Sequence, residues 1–233
     1  MTETSPTHTP KTCNCDKGHI FFERDGVEYV AECDCLKRDK EQKKLHDLFR
    51  SAKVPERYID KSLDNFIQFR QPDAYKTAKT FLEKWPDIKK AGRGICFVGD
   101  VGTGKTHLSF AVFNDLVRRG VSGLAVTVPD LMDELRPRSE EKQMEQIETL
   151  KTIDILLLDD LGAQRNTPWV TERLFIIINA RYNNLKPTII TSNSRLEELD
   201  KVEGWKRIVD RISEMCRAVK VEGPSFRNEK AGC

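Results

Sequence analysis

The sequence predicts an α/β fold, a parallel sheet flanked by helices, with a small cysteine-bearing module ahead of it. Three observations carry that prediction. From residue 55 onward, short apolar runs alternate with segments of helical periodicity. One run, ICFV (95–98), leads straight into GDVGTGKTH (99–107), which fits G-x-x-x-x-G-K-[ST]. Two C-x-C pairs, Cys13 with Cys15 and Cys33 with Cys35, precede all of this.

A chain of 233 residues suits one α/β domain plus a small appendage. Hydrophobic residues at 38% are enough for one sizeable core, and no apolar run approaches the ~20 residues of a membrane span. The opening MTETSPTHTPKTCNC lacks the charged-then-apolar pattern of a secretory signal, so the expected location is cytoplasmic, away from membranes. The net charge of +2 conceals an asymmetry. Residues 1–35 carry three Lys/Arg against seven Asp/Glu, whereas residues 36–53 carry seven against three. A basic run of that kind serves nucleic acid, an acidic partner surface or simply solvent.

The elements follow in order. Residues 1–12 are rich in Thr, Ser and Pro and read as a loose tail. Residues 13–35 form the cysteine module; alternation around Phe21, Phe22, Val27 and Val30 with a DG between predicts a hairpin. Residues 36–54 read as a basic linker helix, with Leu45, Leu48, Phe49 and Ala52 on one face and Pro55 beyond its end. Residues 55–233 form the main domain. In it ICFV, GLAVTV (123–128), IDILLLDD (153–160) and TIITSN (188–193) read as strands. THLSFAVFNDLVRRG, PDLMDELR, TPWVTERLFIIINARYN and SRLEELD read as helices. Pro129 and Pro168 sit at helix starts, Thr167 caps one helix, and Ser194 is the expected cap of the last. Ligands of such sheets bind at the carboxyl ends of strands, and residues 99–106, 159–160 and 192–193 each follow a strand.

The glycine-rich stretch is a phosphate cradle. Gly99, Gly102 and Gly104 let the backbone approach the anion, and N–H groups of the loop and helix start point at it. Lys105 reaches the β- and γ-phosphates, and Thr106 offers a hydroxyl to Mg²⁺. Asp159 can hold that Mg²⁺ through water, and Asp160 can orient or deprotonate an attacking water. Asn193 can hold the same water. Arg207 and Arg211 in RIVDRI, and Arg227 in GPSFR, are of the type that stabilises charge spread over a transferring phosphoryl group. For the cysteines, four thiolates satisfy a tetrahedral Zn²⁺, and some 35 residues cannot bury a core unaided. Cys96 reads as a small core residue.

On the stretches VPERYIDKSLDNF, GDVGTGKTHLSFAV, LLLDDLGAQRNTPWVTERLFIIINARYN, PTIITSN, RIVDRI and GPSFR, residues 55–227 resemble an AAA+ ATPase. More narrowly, they resemble the bacterial replicative helicase loaders of the DnaC/DnaI type and the related transposition helper ATPase IstB. The resemblance implies that Gly99, Asp100, Val101, Gly102, Thr103, Gly104, Lys105, Thr106 and His107 bind ATP with Mg²⁺. It makes Asp159 and Asp160 the Walker B pair, Asn193 the sensor 1 residue, Arg211 a finger supplied to a neighbouring copy, and Arg227 the sensor 2 residue. Most AAA+ proteins carry Glu where Asp160 stands; the loaders share the Asp, which implies a slow switch. The implied partners are the hexameric replicative helicase, single-stranded DNA and further copies of the chain. DnaI-type loaders resemble this chain in having an N-terminal zinc module that engages the helicase. Surface cations at Arg118–Arg119, Arg136, Arg138 and Lys142 are the candidates for DNA contact.

Overall fold

The computed structural model describes residues 15–24, 26–136 and 139–226, so Cys13, Arg138 and Arg227 lie outside the described residues. The chain divides into two compact units, Met1–Leu48 and Phe49–Cys233.

In the first unit β1 (His19–Arg24) and β2 (Val27–Glu32) form the expected antiparallel hairpin, with Phe21 opposite Val30 and Phe22 opposite Tyr29. Phe22 and Tyr29 stack at 5.5 Å between centroids. These strands bury little: Phe21 is 63% exposed and Val30 59%. A hairpin this small has no second layer of its own to pack on, so it needs another source of stability. Helix α1 (Asp34–Ser51) follows directly. Of its expected apolar face only Phe49 and Ala52 are buried; Leu45 is exposed. Because Phe49, Ala52 and Val54 are buried, the division between units falls at 48/49, ahead of the expected boundary at 54/55.

The second unit runs α2 (Glu56–Ile59), a 3-10 turn (Gln68–Arg70), α3 (Pro72–Glu83), α4 (Trp85–Ala91), β3 (Gly94–Val98), α5 (Lys105–Arg118), β4 (Gly123–Thr127) and α6 (Val128–Leu135). It continues with α7 (Glu140–Thr152), β5 (Ile155–Asp159), α8 (Pro168–Asn183), β6 (Thr188–Ser192), α9 (Leu196–Leu199), α10 (Lys206–Met215) and β7 (Cys216–Lys220). Thr127 caps α6, accepting from the Asp130 N–H at 3.2 Å, and Thr167 caps α8, accepting from Val170 N–H at 3.3 Å. The start of α9 differs from expectation. Arg195 occupies the cap position, its N–H donating to Glu198 at 2.9 Å, while the Ser194 N–H turns back to the Ser192 hydroxyl.

The five strands of the main sheet are all parallel, in the order β4-β5-β6-β3-β7. Their side chains alternate between two covered faces. Cys96, Val98, Leu156, Leu158 and Ile190 pack with α6–α10, and α5 covers the opposite face with α3 outside it. The order has one consequence for the site. Strand β6 lies between the strand that feeds the glycine-rich loop and the strand that ends in the two aspartates.

One buried charge holds the α7–α8 side of the sheet together. Arg181 is fully buried and donates to Thr188 Oγ1 (2.9 Å) and to the carbonyls of Leu150 (2.8 Å), Ile153 (2.9 Å) and Pro187 (2.5 Å). It thereby closes the end of α7 and the entry to β6. Burial lowers its pKa to about 9.

Candidate functional site

The carboxyl ends of β3, β5 and β6 meet at one cavity of about 530 Å³, between the glycine-rich loop and the segment 57–67. That segment is tied down by Asn114, fully buried in α5, which donates to the carbonyls of Tyr58 (2.7 Å) and Lys61 (3.0 Å). Phe66 and Ile67 supply apolar wall, and Val101, Gly102, Gly104, Lys105, Thr106 and His107 supply the floor.

The loop is built as its glycines require. Gly102 has φ +83° and Gly104 +99°, left-handed conformations that disfavour any Cβ. A Cβ at Gly102 would also collide with Ser225 Oγ. Lys105 is buried and donates to the Asp100 carbonyl at 2.6 Å; Thr103 donates to the same carbonyl at 2.8 Å. His107 is fixed by Asn65 Oδ1 at 2.8 Å and the Ser62 carbonyl at 3.2 Å, with Phe66 edge-on at 5.2 Å. It therefore joins the loop helix to the wall of the cavity.

The acids stand where the β5 reading puts them. The Thr106 hydroxyl donates to Asp159 Oδ1 at 3.3 Å, a pair that could share one Mg²⁺. Asp159 is 3% exposed, and burial, opposed by hydrogen bonding from Thr191, pushes its pKa up to about 6. Asp160 holds φ +56° and lines the cavity. That conformation is maintained by its N–H donating to Thr191 Oγ1 at 2.9 Å and by Leu161 N–H bonding the Thr191 carbonyl at 2.8 Å. Asn193 donates to Asp160 Oδ1 at 3.3 Å. Thr191, fully buried, donates its own proton to Asp159 Oδ1 at 2.6 Å, so one hydroxyl braces both aspartates. Sequence reasoning passed over it; its position two residues before Asn193, on the strand that ends in that residue, was the available signal.

The C-terminal segment also reaches the loop. The Val221 N–H donates to Val98 O at 2.8 Å, Gln71 holds the Glu222 carbonyl at 2.6 Å, and the Phe226 N–H donates to Gly102 O at 2.9 Å. The Phe226 ring lines the cavity beside Phe66. Phe66 and Phe226 end or sit within the stretches VPERYIDKSLDNF and GPSFR, but neither ring was expected to line the site.

This geometry agrees with what known proteins show. The family described as IstB-like ATP binding protein matches residues 16–232. The chain belongs to that family. A crystal structure of the DnaC helicase loader superposes with a TM-score of 0.63 at 31% identity, covering 72% of this chain and all of the other. The replicative helicase loader DnaI of Bacillus subtilis is 25% identical over 218 residues, 87% of this chain and 69% of DnaI. An uncharacterised B. subtilis protein, YqaM, is 27% identical over 89% of this chain. This chain spans 66% of YqaM, just under two thirds of its length. The fold is thus the AAA+ fold, and ATP binding comes with the family.

Two predicted sets remain. Arg211, on α10, does not line the loop cavity. It lies against Asn179 and Tyr182 of α8. Arg227 lies outside the described residues. In the first unit the ligand atoms of Cys15, Cys33 and Cys35 lie within 4.8 Å of one another, with Cys15 and Cys35 Sγ 3.3 Å apart. Lys17 and Gly18, at φ +47° and +87°, make the turn that returns the Gly18 carbonyl to the Cys33 N–H at 2.7 Å. Clustered soft thiols in a unit without its own core fit a zinc ion; Cys13 lies outside the described residues. Among the described residues no helix is long and apolar enough to cross a membrane.

Proposed function

We propose that this chain is an ATP-dependent loader of a hexameric replicative DNA helicase. The observation that carries this reading is the cysteine-cluster hairpin preceding an ATPase body whose likeness to DnaC and DnaI runs over most of the chain. In this reading Lys105 turns from the Asp100 carbonyl to the β- and γ-phosphates of ATP. Thr106 and Asp159 hold Mg²⁺, which would neutralise the phosphate oxygens. Asp160, steered by Asn193, orients the attacking water, and its short side chain makes hydrolysis slow. Arg211 completes the site of the next copy, so ATP drives side-by-side assembly; Arg227 reads the nucleotide in its own copy. Cys13, Cys15, Cys33 and Cys35 hold Zn²⁺ and fold the hairpin, which with the basic helix grips the helicase. The protein works in the cytoplasm and releases the helicase on hydrolysis.

Single-stranded DNA would meet the ATPase body at Trp169. This half-buried ring has the Arg136 guanidinium 5.7 Å and the Arg173 guanidinium 5.8 Å from its centroid. Aromatic and guanidinium planes together suit stacked bases. Arg118 and Arg119 are less suited, because they donate to the Ile59 and Leu82 carbonyls. Trp85 and Trp205 are buried, so quenching of intrinsic fluorescence by an oligonucleotide, lost in Trp169→Phe, tests the contact.

The second reading is a transposition helper of the IstB kind, acting on duplex DNA with a transposase; the family's description as IstB-like supports it, and the cysteine module favours the loader. Size-exclusion chromatography with light scattering separates the two. The chain is mixed with a hexameric replicative helicase, ATP and Mg²⁺. Co-elution that is lost on deleting residues 1–48 supports the loader. Truncation at 48 spares Phe49 and Ala52, which the ATPase body buries. Failure to co-elute, with assembly on duplex DNA instead, overturns it.

A further inference from the structure

Arg207 and Arg211 share helix α10, yet the fold treats them differently. Ile208, Val209, Ile212 and Met215 turn inward, leaving both arginines on the outer side. Arg207 is exposed. Arg211 is held. Its Nε donates to Asn179 Oδ1 at 3.3 Å, its Nη1 bonds Asp210 Oδ2 at 3.2 Å and lies 4.0 Å from Glu214 Oε2, and its guanidinium sits 4.6 Å from the centre of the Tyr182 ring. Asn179 and Tyr182 are three residues apart on α8, hence on one face of that helix. Among the described residues no hydrogen bond or ion pair engages Nη2, so each edge of the fork, Nε/Nη2 and Nη1/Nη2, is held at one nitrogen and keeps Nη2 as an uncommitted donor.

We propose that Asn179 and Tyr182 are positioning residues that aim the Arg211 guanidinium at the phosphates bound by a second copy of this chain. The inference rests on the reading of Arg211 as a residue supplied in trans. A flexible arginine on a helix surface samples many rotamers, and fixing its plane before encounter removes that cost from assembly. The ring holds the guanidinium by cation–π attraction without blocking its N–H edge. Asn179 fixes rotation about the long axis. Asp210 and Glu214 neutralise the charge while the chain is alone, and a phosphoryl group with two or more negative charges outcompetes them. Glu214 also faces Tyr182, and its proximity raises the Tyr182 pKa. Arg207, which lacks such a cradle, is not assigned this role.

A complementation experiment tests the cradle. Arg211→Ala chains bind nucleotide but offer no finger; Lys105→Ala chains offer the finger but bind no nucleotide. Each alone is inactive, and mixing them under conditions where the wild-type chain turns over should restore ATP hydrolysis. The donor is then changed. Lys105→Ala/Tyr182→Ala donors should restore a rate lower by on the order of 10²-fold, the cost of a misplaced catalytic group. Lys105→Ala/Tyr182→Phe donors, which keep the ring, should recover most of it, and Asn179→Ala donors should fall between. In the otherwise wild-type chain, Tyr182→Ala should lower kcat with KM unchanged, which general misfolding would not do. Full restoration by the Tyr182→Ala donor overturns the cradle and leaves the trans finger standing. No restoration by the Lys105→Ala donor, or equal restoration by Lys105→Ala/Arg211→Ala, overturns the trans reading itself and the cradle with it.

Discussion

Replacing Asp159 with Asn separates the function of the buried acid from its cost. Asp159 is 3% exposed, and its pKa rises from 3.8 to about 6, chiefly because burial disfavours the carboxylate. The folded chain therefore holds this proton more tightly than the unfolded chain. Its contribution to stability is fully present below pH 3.8 and is lost as the pH rises through about 6. At pH 8 the ionised group costs about 3 kcal/mol relative to the unfolded chain. Asparagine keeps the oxygen that accepts from Thr191 and Thr106 and removes the charge. Its buried NH₂ returns about 1 kcal/mol of that gain. Asp159→Asn without nucleotide should then melt about 4–8 °C above wild type at pH 8, from a net gain of about 2 kcal/mol. The difference should shrink towards zero at pH 5, where the wild-type acid is mostly protonated. With Mg²⁺ and a slowly hydrolysed ATP analogue the order should reverse if Asp159 holds the metal as proposed, since the amide is the poorer ligand. The assay is thermal unfolding by circular dichroism in matched buffers. If Asp159→Asn melts below wild type at pH 8, or the gap is the same at pH 5, burial does not govern this carboxyl and the reasoning fails.

Other perturbations have equally direct outcomes. Arg181→Met strands three carbonyls and a hydroxyl in the core, and should cost about 3–5 kcal/mol in urea unfolding while leaving the arrangement of the loop unchanged. Gly102→Ala places a Cβ against Ser225 at φ +83°, so it should displace the Phe226 segment and weaken binding of a fluorescent ATP analogue at least tenfold, about 1.4 kcal/mol. Cys33→Ser should abolish zinc stoichiometry by elemental analysis and open residues 15–33 to protease, with the main thermal transition unmoved.

Legibility in the sequence followed the density of apolar side chains. ICFV, ILLL and TIIT announce themselves because strands buried on both faces read as continuous apolar runs. Strand β7, CRAVK, does not, since it lies at a sheet edge with three of five side chains exposed. Helices α3, α4, α7 and α10 also went unread; in α7 the apolar positions are diluted by Lys, Glu and Gln, whereas α10 carries Ile208, Val209, Ile212 and Met215 on one face, a helical pattern that was there to be read. The site was legible where a motif fixes spacing, at residues 99–107 and 159–160. It was not legible where the chain supplies a wall from a distant segment, as at Phe66 and Phe226. A buried arginine satisfied by carbonyls, such as Arg181, leaves no pattern at all, because its partners are backbone. The hairpin was read correctly as a hairpin, but alternation implied one covered face, and the structure leaves Phe21 and Val30 exposed.

The hydrogen bonds within the site bear on why such a domain would act as a switch. Lys105 bonds its own loop, Thr106 bonds Asp159, Asn193 bonds Asp160, and Arg211 bonds Asn179 and Asp210. Each of these four groups is thus already engaged with another part of the same domain. In the proposed reading, a nucleotide that took over one of these groups would release its former partner, so occupancy would be transmitted as rearrangement and not only as contact. Thr191 makes the coupling specific. Its hydroxyl accepts from the Asp160 backbone and donates to the Asp159 carboxylate, so any metal binding at Asp159 would be tied to the set of the Asp160 backbone through one rotor. The acid that would position water therefore responds to the acid that would hold metal, through a single side chain on the strand between the loop and the acids.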